Sequence, residues 1–213
     1  MTSTVKKSAE IIQLPRGVKS RALSTITDVI SNVNRKLDFL LDGLSANVEH
    51  ALFEEMWGLD EKDALRHHFN VMRALRVNGS DFRKEFYRLQ GKVWQIFLGQ
   101  RVDPVLNPPR GIAETLITTY KSKTESHYKV LISEIRDRFS MLLWRELDDY
   151  PLCPDIYYIS FWQAIETLGL SYDERVMLIP LFHRFVMDRY GQVLATANQT
   201  LIEHSTIMES KAR

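Results

Sequence analysis

Cysteine is almost missing from this chain: Cys153 is the only one in 213 residues. An intramolecular disulfide framework and any multi-cysteine metal site are thereby excluded, and a reducing compartment, the cytoplasm, is expected. Glycine and proline are scarce, with nine and seven respectively. A chain of many short strands needs far more tight turns, so a helical fold is expected. A surplus of charge is lacking as well, with 28 basic against 27 acidic residues and a net charge of +1. Nucleic acids and acidic membrane surfaces call for a basic excess or face, so both are disfavoured as partners. Long hydrophobic runs are missing too. The strongly apolar window from Met177 to Phe182 is too short to span a bilayer, and the start MTSTVKKSAEIIQLPRG holds no signal-peptide core.

Signatures of chemistry are equally sparse. There is no glycine-rich phosphate loop and no serine-hydrolase elbow. His67 and His68 are adjacent, which on a helix points them about 100° apart, whereas a metal pair needs i and i+4 spacing. His127, His183 and His204 are scattered. Cys153 lies in a proline-flanked turn, where a thiolate would still need a base or a positive field. Glu54-Glu55 and Asp148-Asp149 are neighbours in sequence and read as solvated helix faces. No enzyme, cofactor or metal is expected from these residues.

What the chain does have is helical periodicity. Residues 1–20, with Lys6, Lys7, Pro15 and Gly17, read as a loose arm. A helix starting near Val18 is expected to bury Leu23, Ile26, Val29, Ile30 and Val33. Leu37, Leu41, Leu44, Val48, Ala51 and Leu52 prolong its stripe past Gly43. Trp57-Gly58-Leu59-Asp60 reads as a helix end and restart. Leu65, Phe69, Met72 and Leu75, then Phe82, Phe86, Leu89 and Val93, form a second stripe that runs through Asn78-Gly79-Ser80. The segment 99–111, with Asp103-Pro104 and Asn107-Pro108-Pro109, breaks the chain into two halves. Ile112 to Trp144 reads as one long helix. Ile156 to Leu168 follows as an aromatic-rich helix stopped by Gly169. Ser171 and Glu174 form a capping box, opening a helix that Pro180 should kink. Residues 205–213 read as a frayed tail. The expected fold is all-α, a bundle of about six or seven amphipathic helices in one domain over 21–204.

Two groups stand out as interaction candidates. Arg66, Arg73 and Arg76 follow one helix side, and arginine suits bidentate recognition of carboxylate or phosphate; pairing with Glu49 or Glu54 is the plainer expectation. Tyr158, Phe161 and Trp162 share a helix face in the densest aromatic cluster, with core packing as the default. Trp57, Trp94, Trp144 and Trp162 are expected in the core or at contacts, and any left exposed would mark a binding surface.

Some of these residues also resemble a bacterial family. Ala51-Leu52-Phe53, Phe69 and Met72-Arg73-Ala74-Leu75-Arg76, with Val176 to Phe182, Val186-Met187, Gly191 and Asn198 to Ile202, are similar to the domain of unknown function 1631 family. The resemblance spans Leu37 to Ile202. It implies a helical scaffold lacking the family's further C-terminal region. Some members carry a nucleoside phosphorylase label, for which this chain shows no residue pattern. The expected role is a non-enzymatic regulatory or adaptor protein that binds another protein, with self-association compatible. A sensor of a nucleotide or other phosphorylated ligand read by arginines is the alternative, and nucleic-acid binding stands third.

Overall fold

The computed structural model describes residues 16–56, 62–102 and 106–210. The expected arm residues Lys6, Lys7 and Pro15 and the junction at Trp57-Gly58-Leu59-Asp60 lie outside the described residues. Among those described, the chain forms only helices: α1 (Arg16–Met56), α2 (Lys62–Phe97), α3 (Ile112–His127), α4 (Lys129–Leu143), α5 (Pro154–Ala164), α6 (Tyr172–Val176), α7 (Leu178–Phe185) and α8 (Gly191–Ser210). Two 3₁₀ turns, Ile165–Leu168 and Met187–Arg189, join them. Six of the eight have eleven residues or more, and the fold is an all-α bundle.

The helix in α1 is already formed at Arg16, inside the segment read as an arm, and α8 runs to Ser210, inside the segment read as a frayed tail. Ala22, Ile26, Val29, Val33, Leu37, Leu41, Leu44 and Val48 of α1 are buried. Their three- and four-residue steps lay one stripe along the helix, which faces neighbouring helices. Leu23 falls off that stripe and is exposed, with Ala22 taking its place.

The second part of α1 and α2 run antiparallel. Asp38 accepts from the Tyr87 hydroxyl (2.6 Å), Asp42 from Arg83 (2.6 Å) and Glu49 from Arg76 (2.6 Å). Each step back along α2 matches a step forward along α1, so these contacts fix the register of a helical hairpin. The first part of α1 instead pairs with α8. Thr25 meets His204 Nδ1 at 3.1 Å, and Asn32 donates to Thr200 at 3.0 Å. In α2 the buried stripe passes through His68, Val71, Phe82, Phe86, Leu89 and Trp94. Phe69 is exposed, contrary to the stripe expected from the sequence, because the inward face is centred on His68 and Val71.

Three expected helices are subdivided. The long segment from Ile112 breaks at Tyr128 (φ −106°, ψ 19°), although its N–H still donates to Thr124. The segment after Ser171 breaks at Met177. Pro180 has no N–H to give the carbonyl four residues earlier, that of Val176, which explains an interruption there. The aromatic helix ends in a 3₁₀ turn closed by Gly169 at φ 68°, a left-handed conformation that favours glycine.

The core lies where α2, α5 and α7 meet. Phe161 stacks on Phe182 with centroids 4.1 Å apart and planes at 12°, and Phe82 and Phe86 meet the pair edge-on. Truncating one such ring to alanine costs about 3–5 kcal/mol. Tyr158, Phe161 and Trp162 are therefore interior residues, which removes them as candidates for contact with a partner. Trp162 lies under the Arg175 guanidinium, 4.5 Å from its centroid, and that arginine also donates to Glu166 (2.7 Å).

Candidate functional sites

The arginine group does not converge on one ligand. Arg66 is 3.4 Å from Asp63 of its own helix, and Arg76 makes a two-pronged contact with Glu49 (3.1 and 2.6 Å). Arg73 has no ion-pair partner among the described residues and lies on the outer face of α2 with Arg66, Phe69 and Val77. The interhelical pairing expected for these arginines thus holds for Arg76.

A different surface feature stands at the end of α4. Its final turn is closed by Trp144, whose backbone is left-handed at φ 52°, ψ 39°. No other non-glycine residue among those described has a positive φ. The Trp144 N–H donates to Met141, and the Arg145 N–H reaches back to Ser140. Glycine makes this type of helix end without strain, whereas an L side chain there costs about 1–2 kcal/mol. The indole is not folded inward in return: Trp144 is 67% exposed and Met141, one turn earlier, 68%. The periodicity ends the long helix at Trp144 and carries the indole on its apolar stripe, with the core or a contact as the expected place. The left-handed cap overturns that by rotating the side chain out of phase. Exposed Glu146, Asp148 and Asp149 follow it.

Two histidine–carboxylate contacts hold the most organised polar chemistry. At the first, Glu174 closes the capping box of α6, accepting from the Ser171 N–H (2.9 Å) while the Ser171 hydroxyl accepts from the Glu174 N–H. The same carboxylate accepts from Asn70 (2.9 Å) and contacts His67 Nδ1 (3.0 Å), both on α2. Burial would raise its pKa, but the hydrogen bonds from His67, Asn70 and Ser171 outweigh that and hold the carboxyl at about 2. His68 points elsewhere, placing Nδ1 2.9 Å from the Ala64 carbonyl, so the pair of histidines shares no ligand.

At the second, His183 of α7 places Nε2 3.2 Å from Asp188 and Nδ1 2.8 Å from the Tyr158 hydroxyl. The Thr124 hydroxyl lies 3.2 Å from the Tyr158 oxygen and 3.0 Å from the Tyr120 carbonyl, with one proton to give between them. The Tyr120 ring lies against the imidazole at 4.3 Å. Asp188 only accepts, so Nε2 carries a proton, and in the neutral ring Nδ1 accepts from Tyr158. Burial pushes the His183 imidazole below its ordinary value; Asp188 opposes the shift and Lys123 adds to it. This chain borders a cleft of about 360 Å³ lined by Lys123, Thr124, His127, Tyr128, His183, Met187 and Asp188. Tyr128 closes one wall by donating to the Asp188 backbone carbonyl (2.6 Å). Its ring crosses Gly191, where a Cβ would meet Tyr128 Cε1 at 2.5 Å, so the start of α8 must be side-chain-free for the wall to form. Sequence reading noted His183 but could not bring Tyr158 and Asp188 to it.

Cys153 sits at the start of α5, and burial pushes its thiol up to about 12, away from a nucleophilic thiolate. No group of three or more histidine, cysteine or acidic side chains suited to a metal ion occurs among the described residues. No helix among them is long and apolar enough to cross a membrane.

Comparison with known proteins gives one result. Residues 113–205 match the model described as Protein of unknown function (DUF1631) N-terminal domain. No curated protein and no solved structure matches the chain. The matched part includes Val176–Phe182 and Gly191, while Ala51-Leu52-Phe53 and Met72–Arg76 lie before it. From α3 through most of α8, including both the Trp144 helix end and the His183 cleft, the chain is similar to the DUF1631 N-terminal domain family.

Proposed function

We propose that this protein is a non-enzymatic adaptor that docks another protein on the exposed end of α4. Trp144 carries the reading. Its helix end is one that glycine closes more cheaply, yet it is occupied by a large indole turned to solvent beside Met141. Tryptophan and methionine are enriched in interface centres, where burying them excludes water. The neighbouring Glu146, Asp148 and Asp149 favour a partner with an apolar pocket rimmed by basic residues. The outer face of α2, with Phe69 and an Arg73 that has no ion-pair partner among the described residues, offers a second surface of the same kind. An arginine-read nucleotide site has less support, since Arg66 and Arg76 reach separate carboxylates, Arg73 joins neither of them, and none of the three lines the cleft beside His183. A cytoplasmic location fits the single, half-buried thiol.

The test is Trp144→Gly. It removes the indole while relieving the left-handed strain, so stability should stay level or rise by about 1 kcal/mol. Cross-linking in native cells should identify a partner retained by the parent and by Arg101→Ala, a change at an exposed position in the connection after α2, and lost by Trp144→Gly. A partner held equally by Trp144→Gly would rule out this docking site.

A further inference from the structure

We propose that the cleft between α3 and the corner joining α7 to α8 binds a small phosphate monoester, held by Lys123 and His127. The two residues are four apart on α3, so they stand one turn apart on the same side of the helix. Both are exposed and both line the cleft. Neither has an ion-pair partner among the described residues. Lys123 lies 5.3 Å over the Tyr120 ring, and His127 meets the Tyr128 ring edge-on at 4.5 Å. Nearby cations are treated differently: Lys121 faces Glu125 (3.6 Å) and Asp155 (3.8 Å), and Arg138 faces Glu134 (3.8 Å). The cleft therefore offers an ammonium and an imidazole with no carboxylate taken up by either.

Asp188 lines the same cleft, but its carboxylate is engaged by His183. The neutral imidazole leaves that charge in place, and the Lys123 ammonium is the group that offsets it. The volume of about 360 Å³ exceeds what a free phosphate fills and matches the lower range of small-molecule sites. Met187 and the Tyr128 ring supply apolar wall for an organic group, while Lys123 and His127 supply donors for phosphate oxygens. These contacts favour an ester over the bare ion.

This inference is independent of the Trp144 reading, and Trp144→Gly should leave ligand binding intact. The experiment follows imidazole C–H resonances of the whole chain by NMR, at constant pH and ionic strength. Inorganic phosphate and phenyl phosphate are titrated separately. The expected result is a saturable shift of His127, with His50 and His204 unmoved and the ester bound several-fold tighter. Lys123→Ala and His127→Gln, at exposed positions that keep the parent's thermal midpoint, should each weaken binding about tenfold. Shifts that stay linear to the order of 10 mM would overturn the site, as would saturation that survives both substitutions. Equal affinity for the two probes would overturn the assignment to an ester.

Discussion

His67–Glu174 and His183–Asp188 use the same two functional groups at similar separation, 3.0 and 3.2 Å, yet they are opposite in burial. In the first the carboxylate is inside, with the Glu174 side chain 8% exposed and His67 36%. In the second the imidazole is inside, with His183 14% exposed and Asp188 56%. The buried member sets the character of each pair. Glu174 has three donors aimed at it and remains charged, so it behaves as a fixed clamp between α6 and α2. His183 has water-facing company on one side and a buried phenol on the other, so its protonation is the variable.

The largest effect that would break this contrast is at Glu174. Glu174→Ala should cost about 3 kcal/mol in urea unfolding, because the donors of His67, Asn70 and the Ser171 backbone lose their acceptor and the capping box of α6 keeps only its Ser171 half. Asp188→Ala, at the exposed end of the other pair, should cost less than about 1 kcal/mol. Equal losses would mean the two contacts are not distinguished by burial.

Acid titration follows in size. The folded pKa of Glu174, about 2, lies below the ordinary glutamate value of 4.5. Its contribution is complete above 4.5 and fades as pH falls toward 2. Unfolding midpoints measured across that range should fall steeply for the parent and less steeply for Glu174→Gln.

His183 gives a smaller effect higher on the pH scale. Its folded pKa is lowered, so the unfolded chain takes the proton first. Stability is full above the ordinary value of 6.5 and declines as pH falls through the folded value. Asp188→Asn removes the charge that opposes the shift, so an NMR titration should show His183 moving lower still. An upward move would show that Asp188 is not the group opposing burial. His67→Ala should cost about 1 kcal/mol, well short of Glu174→Ala, since Asn70 and Ser171 still serve Glu174.

Both pairs were half-legible in the sequence, and for the same reason. Ser171 and Glu174 are three residues apart, so their capping box could be read directly; His67 and Asn70, more than a hundred residues earlier, could not be placed there. His183 and Asp188 are close in sequence, but Tyr158 reaches them only through the packing of α5 on α7. Periodicity located the helices of α1 and α2 because their apolar steps are long and regular. It misplaced Phe69 and Leu23, where two neighbouring positions were both apolar or where the inward face held a histidine. It ended the helix at Trp144 but could not show the left-handed cap that turns the indole outward, because such ends are signalled by glycine and this one has none.

The contact between the two ends of the described fold has a consequence for its synthesis. Thr25 and Asp28 of α1 meet His204, and Asn32 meets Thr200, across some 170 residues or more of chain. The first half of the longest helix therefore waits, with Ile26, Val29 and Val33 uncovered, until α8 leaves the ribosome. Docking of α8 is expected to be the closing step of folding, and the nascent chain before it should be the form most open to chaperones.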